Sequence, residues 1–199
     1  MFDLPLEPDA IPPPGQAAGV APLDLGRLTE SARDFAESLF ARMPALADYA
    51  GLAPGADGGH VELVVSLPTW PESSVTAPLR IDTEFDEVTV TFDAMHKHFQ
   101  WPPYEGYEDD LLNPVVLIWC ILTERVVAGS LWRGDALVAA RFLYRVPDGQ
   151  LIDALESTLV MAAGDAAAIP LSRHIRSWYG SHNEETAAEG LDDLGQPPD

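Results

Sequence analysis

Two imidazoles two residues apart are the part of this sequence best suited to chemistry. In "FDAMHKHFQW", residues 92–101, His96 and His98 flank Lys97, the only lysine of the chain. Neutral imidazole binds borderline transition metals and exchanges protons near neutral pH. Whether the pair acts together depends on the backbone. In an extended strand, residues i and i+2 share a face, so Phe92, Ala94, His96 and His98 line up if the strand-like run ending at Phe92 continues. On a helix the two rings stand about 200° apart. An apolar stripe of Phe92, Met95, His96 and Phe99 then turns His98 elsewhere, with Asp93 as the N-cap. A catalytic ion needs a third protein ligand. Asp93 is the nearest, with His60, His174 and His182 as others, but none falls at a ligand spacing such as HExxH. The enzymatic alternative is thus a metal-dependent hydrolase in which His96, His98 and Asp93 hold an ion that activates water. A structural role for the pair is preferred to it.

Other reactive types are placed less favourably. Cys120 lies within "LIWCIL", an apolar setting, whereas catalytic thiols want an electropositive one. Ser130 in "VAGSLWRG" lacks the G-x-S-x-G turn of a hydrolase nucleophile. The "GADGG" stretch has no Lys-Ser/Thr after it and is no phosphate cradle, so no cofactor is called for. "RGD" at 133–135 reads as a hairpin turn. The acidic groups Glu84, Asp86, Glu87 and Glu108, Asp109, Asp110 lack EF-hand spacing and read as solvated loops.

Aromatics in an acidic loop suggest binding instead. "FQWPPYEGYEDD", residues 99–110, sets Trp101, Tyr104 and Tyr107 among Glu105, Glu108, Asp109 and Asp110. Rings ringed by carboxylates suit a partner that presents arginine or lysine. The competing reading has the same rings covering the edge of the core. "WPESS" around Trp70 is a second loop of this kind.

The elements that must position these residues can be read from periodicity. Leu28, Ala32, Phe35, Leu39 and Met43 form one helical stripe, with Thr29 as N-cap and Pro44 as terminator. "HVELVVSL", "LRIDT" and "EVTVTF" read as strands, the last with Val88, Val90 and Phe92 on one face and Thr89 and Thr91 on the other. Asn113-Pro114 starts a short buried helix over "PVVLIWCILTER". Residues 126–143 form a hairpin, "LIDALESTLVMAAG" reads as a helix, and a last strand spans about residues 173–179. The expected fold class is α+β: a mostly antiparallel sheet of about five to six strands packed against two to three helices. Residues 1–24 read as a Pro-rich arm, 25–183 as a single domain, and 184–199 as an acidic, mobile tail.

The totals set limits. The 199 residues, 47% hydrophobic, suffice for a sizeable core. The longest uninterrupted apolar run, Val115 to Leu122, falls short of the roughly 20 residues that cross a bilayer. "MFDLPLEPD" lacks the basic start of a signal peptide, and one cysteine cannot form an intrachain disulfide, so a cytoplasmic protein is expected. With 32 acidic residues against 11 lysines and arginines, the net charge is −21. Such a surface repels nucleic acid and anionic lipid, which argues against both as partners, and attracts a basic protein.

Three stretches, "EVTVTFDAMHKHFQW", "ERVVAGSLWRG" and "IRSWYGSHNE", together resemble the strand-rich cores of small bacterial immunity proteins from polymorphic toxin systems. They cover less than half of the chain. The resemblance implies a cytosolic protein without catalytic machinery that inhibits a toxin by binding it, and members that oppose nucleases are often acidic. It carries over no particular residue. The leading expectation is therefore a non-enzymatic immunity or inhibitor protein for a basic partner such as a bacterial toxin, with Trp101, Tyr104, Glu105, Tyr107, Glu108, Asp109 and Asp110 as contacts. The metal-dependent hydrolase stands second. A DNA mimic, whose carboxylates copy phosphate spacing, stands third.

Overall fold

The computed structural model describes residues 23–56, 58–70, 73–107, 109–160, 169–190 and 193–194. The expected N-terminal arm, save Leu23 and Asp24, lies outside them, as does Glu108. The fold is α+β and its strands run antiparallel, but the described strands number ten and form two sheets of five. The chain divides into two compact units. The first comprises the described residues up to Pro68 with Pro78–Thr91 and His96–Trp119; the second comprises Thr69–Ala77, Phe92–Met95 and the described residues from Cys120 onward.

In the first unit, Thr29 accepts the Ala32 N–H at 3.2 Å and opens α1, Glu30–Arg42. Capping of this kind satisfies one of the helix's orphan donors. Ala32, Phe35, Ala36 and Leu39 form its buried stripe, and the helix stops at Met43 because Pro44 follows. The strands β1 (Ala50–Pro54), β2 (Val61–Leu67), β3 (Leu79–Glu84), β4 (Glu87–Phe92) and β5 (Met95–Gln100) follow one another across the first sheet in chain order. Period-2 alternation gives this sheet one apolar face. Ala50, Val65, Ile81 and Val90 are cross-strand partners in one buried row. Burial of each valine or isoleucine of this row contributes about 1.5–3 kcal/mol. The helix α1 lies against β2. The opposite face carries Ser66, Arg80, Asp82, Glu87, Thr89, His96, His98 and Gln100, all exposed or half-buried.

The helix α2, Pro114–Leu122, begins as the sequence indicated: Asn113 Oδ1 accepts the Val115 N–H at 2.9 Å. Its residues from Val115 to Leu122 are all buried.

The second unit is built on the hairpin of β6 (Val126–Arg133) and β7 (Ala136–Arg145), turned at Gly134 with φ 61°. With β8 (Leu151–Val160), β9 (Leu171–Arg176) and β10 (Glu184–Ala188), the sheet order is β10-β9-β6-β7-β8. Val127, Leu143, Leu151 and Ile175 make one core cluster. Two expectations are corrected here. Residues 151–160 are a strand and not a helix, because pairing with β7 takes precedence over local preference. The expected mobile tail begins with a paired strand: β10 lies antiparallel to β9, and the buried Arg173 guanidinium bonds Glu184 and the Asp193 carbonyl. Leu194 is fully buried with Leu131, Val138 and Ala139.

Candidate functional site

His96 and His98 do share a face. Neither the unbroken strand nor the helical turn of the sequence reading forms. Instead β4 and β5 are separate strands joined at Asp93-Ala94, with Asp93 at φ 52°. Both imidazoles are exposed on β5, with ring centroids 5.3 Å apart. His98 Nδ1 lies 2.9 Å from Glu87 Oε1 and 2.9 Å from Thr89 Oγ1. Asp93 does not join them. Its Oδ1 accepts the backbone N–H and the hydroxyl of Thr76, each at 2.7 Å, so it serves as a turn anchor. The expected trio of ligands is not assembled, and among the described residues no group of three or more His, Cys, Asp or Glu side chains is placed to hold a metal ion.

The loop proposed for partner contact is split by burial. Trp101 is only 6% exposed and so is not an accessible anchor. Its ring meets Phe35 edge-on at 5.1 Å, its indole N–H donates to Asp34 at 2.9 Å, and its backbone N–H donates to the Asp86 carbonyl at 2.7 Å. The Ser31 hydroxyl donates to its carbonyl at 3.2 Å. Tyr104 and Tyr107 are open to solvent, 72% and 42% exposed, and Glu105, Asp109 and Asp110 are exposed beside them. Successive turns hold this run. Tyr107 N–H donates to the Tyr104 carbonyl, and Gly106 supplies φ 91°, a conformation that favours glycine.

Burial of Trp101 forms a wall, and the wall bounds a cavity that the sequence reading missed. An open groove of about 560 Å³ is lined by Glu30, Ser31, Arg33, Asp34 and Glu37 of α1, by Asp86 of the β3–β4 turn, and by Trp101 and Pro102. Glu30, Asp34 and Glu37 recur at i, i+4 and i+7, the spacing of one helix face. That much was visible in "ESARDFAE". Nothing local announces that Asp86 and Trp101 stand opposite. Four carboxylates against one guanidinium make the groove electronegative.

The second unit offers polar clusters that are already committed. His174 stacks on Trp132 at 6.0 Å. Its Nδ1 lies 3.1 Å from Arg176 Nη2 and its Nε2 lies 2.9 Å from Ser172 Oγ. A guanidinium only donates, so Nδ1 accepts and the ring proton sits on Nε2, directed at Ser172. This tautomer cannot take a proton from Ser172, and so the pair is not a nucleophile with its base. Burial, followed by the adjacent Arg176 charge, lowers the His174 pKa below its ordinary value. The buried Glu124 carboxylate accepts the Tyr179 N–H at 2.6 Å and clamps the turn after β9. Ser130 is buried and accepts the Trp132 indole N–H at 2.8 Å; Cys120 is buried as well.

No described helix is long and apolar enough to cross a membrane. Comparison of the chain with protein-family models, with curated proteins and with solved structures finds no match.

Proposed function

We propose that this protein is a non-enzymatic binding protein of the immunity or inhibitor type, which neutralises a basic bacterial protein such as a toxin by charge-steered association. The observation that carries this reading is the groove between α1 and the β3–β4 turn, rimmed by Glu30, Asp34, Glu37 and Asp86 and walled by Trp101 and Pro102. An arginine or lysine side chain of the partner fits such a groove. Its cationic head meets carboxylates, and its aliphatic stem lies along the ring and the proline. The exposed Tyr104 and Tyr107 add amphipathic contact area of the kind that dominates binding energy at interfaces. The net charge of −21 supports fast encounter with a cationic partner at low salt.

The test is co-purification of the full chain with the product of the adjacent gene, followed by titration at low and high salt. A complex that weakens with salt is expected. It should weaken further in Glu30→Gln/Glu37→Gln/Asp86→Asn than in Glu84→Gln/Asp135→Asn/Asp48→Asn, which removes the same charge elsewhere. No complex at low salt, or equal weakening by both triple variants, overturns the proposal.

A further inference from the structure

The open face of the first sheet carries a second candidate site, independent of the groove. We infer that His96 and His98 form a two-imidazole chelate for a borderline divalent transition metal, Cu²⁺ before Ni²⁺ or Zn²⁺, with water completing the coordination. The two side chains stand at i and i+2 on β5 and both are exposed, so an ion reaches them without any rearrangement of the fold. Their ring centroids are 5.3 Å apart. Two imidazoles on one ion, with metal–nitrogen bonds of about 2.1 Å, put their centroids roughly 4.5 Å apart at the right angle of a tetragonal Cu²⁺ site and roughly 5 Å apart at a tetrahedral one, so small side-chain rotations bring the pair onto either.

A second observation concerns how one ring is held. The Glu87 carboxylate only accepts, so the 2.9 Å contact places a proton on His98 Nδ1 and leaves the Nε2 lone pair free. A carboxylate behind a ligating histidine fixes its tautomer and orientation. Thr89, also 2.9 Å from Nδ1, holds the ring from the neighbouring strand. His96 makes no hydrogen bond among the described residues that would compete with an ion. Two nitrogen ligands without a third carboxylate select the metals that prize imidazole, and the Irving–Williams order places Cu²⁺ first among them.

The experiment uses the full chain, with calorimetric titration of CuCl₂, ZnCl₂ and MgCl₂ and electron paramagnetic resonance of the Cu²⁺ form. One Cu²⁺ per chain with coupling to two imidazole nitrogens is expected, bound more tightly than Zn²⁺ and not displaced by excess Mg²⁺. His96→Gln and His98→Gln should each remove one nitrogen from the spectrum and weaken Cu²⁺ at least about tenfold. Glu87→Gln should keep both nitrogens and still weaken binding about tenfold, the signature of a residue that positions a ligand. All three positions are exposed, so circular dichroism should remain unchanged. A two-nitrogen spectrum that survives both histidine substitutions, or displacement by Mg²⁺, overturns the inference. Neither result bears on the groove, because Glu30, Asp34 and Glu37 take no part.

Discussion

Replacing Trp101 by phenylalanine tests the joint on which the groove depends. Trp101 makes three kinds of contact at once: an edge-on ring contact with Phe35, an indole N–H bond to Asp34, and backbone bonds to Asp86 and Ser31. Phenylalanine keeps the backbone bonds and much of the ring contact. The lost indole bond to a carboxylate counts for about 1 kcal/mol, toward the low end for charged acceptors because Asp34 is exposed. The smaller ring forfeits roughly 40 Å² of buried apolar surface, about 1 kcal/mol at 25 cal/mol/Å². A total near 2 kcal/mol is expected. Asp34→Ala strands the indole N–H and should cost about 1–2 kcal/mol, whereas Asp34→Asn keeps an acceptor and should cost about 0.5 kcal/mol. Urea unfolding followed by far-ultraviolet circular dichroism gives each value. The double variant Trp101→Phe/Asp34→Ala then closes a cycle, and the coupling should be about 1 kcal/mol. A coupling within about 0.3 kcal/mol of zero, the scatter of independent sites, refutes the bond as the link between helix and loop.

Three further outcomes follow from the packing. Thr83 is buried and its hydroxyl accepts the Leu63 N–H at 2.9 Å, so Thr83→Val should cost about 1–3 kcal/mol in urea unfolding while Thr83→Ser costs less. A Cβ on Gly129 falls 2.5 Å from a methyl of the fully buried Leu143, so Gly129→Ala should overpack that cluster by about 1–3 kcal/mol, read in the same assay. Because burial and Arg176 lower the folded-state pKa of His174, the unfolded chain takes up the proton first as pH falls. The stability this histidine contributes is present above its unfolded pKa of about 6.5 and is lost as pH falls from there toward the folded value. Thermal melts between pH 7.5 and 5.5 should therefore fall more steeply for the natural chain than for His174→Gln.

What the sequence disclosed was the part of the fold governed by a single period. Ala32, Phe35 and Leu39 repeat at helical spacing and α1 forms; Val88, Val90 and Phe92 alternate and β4 forms. Residues 151–160 carry no deciding period of their own, because Leu151 and Leu155, both buried, are four apart, a spacing that suits one helical turn and two strand repeats equally. Only the partner strand decides, and the partners on β7 lie six or more residues away with a register shift near Arg141. The strand β10 was illegible for a different reason. "EETAA" has no apolar pattern, and what fixes it is a ladder to β9 and the Arg173–Glu184 ion pair.

The candidate site shows the same division between local and distant causes. The sequence left open whether His96 and His98 share a face, and the strand β5 decides that they do; the place of Asp93 was not legible, since it is held by Thr76 through a contact of sequence separation 17. For Trp101 the sequence leaves two readings open, a contact ring among prolines, glycine and acids or a cover on the core edge; the second forms, and Asp34, 67 residues earlier, accepts its indole N–H. In the proposed binding, this burial changes the part the acidic loop would play. An exposed ring would itself be the anchor. A buried one instead fixes Pro102 and the backbone at Asp86, so that the carboxylates of α1 and of the β3–β4 turn face a common space before any partner arrives. In the proposed association, the Asp34 carboxylate held by the indole and the Asp86 backbone held by Trp101 would lose less freedom on meeting a cation than free groups would, and this preorganisation would add selectivity to the attraction set by the total of −21.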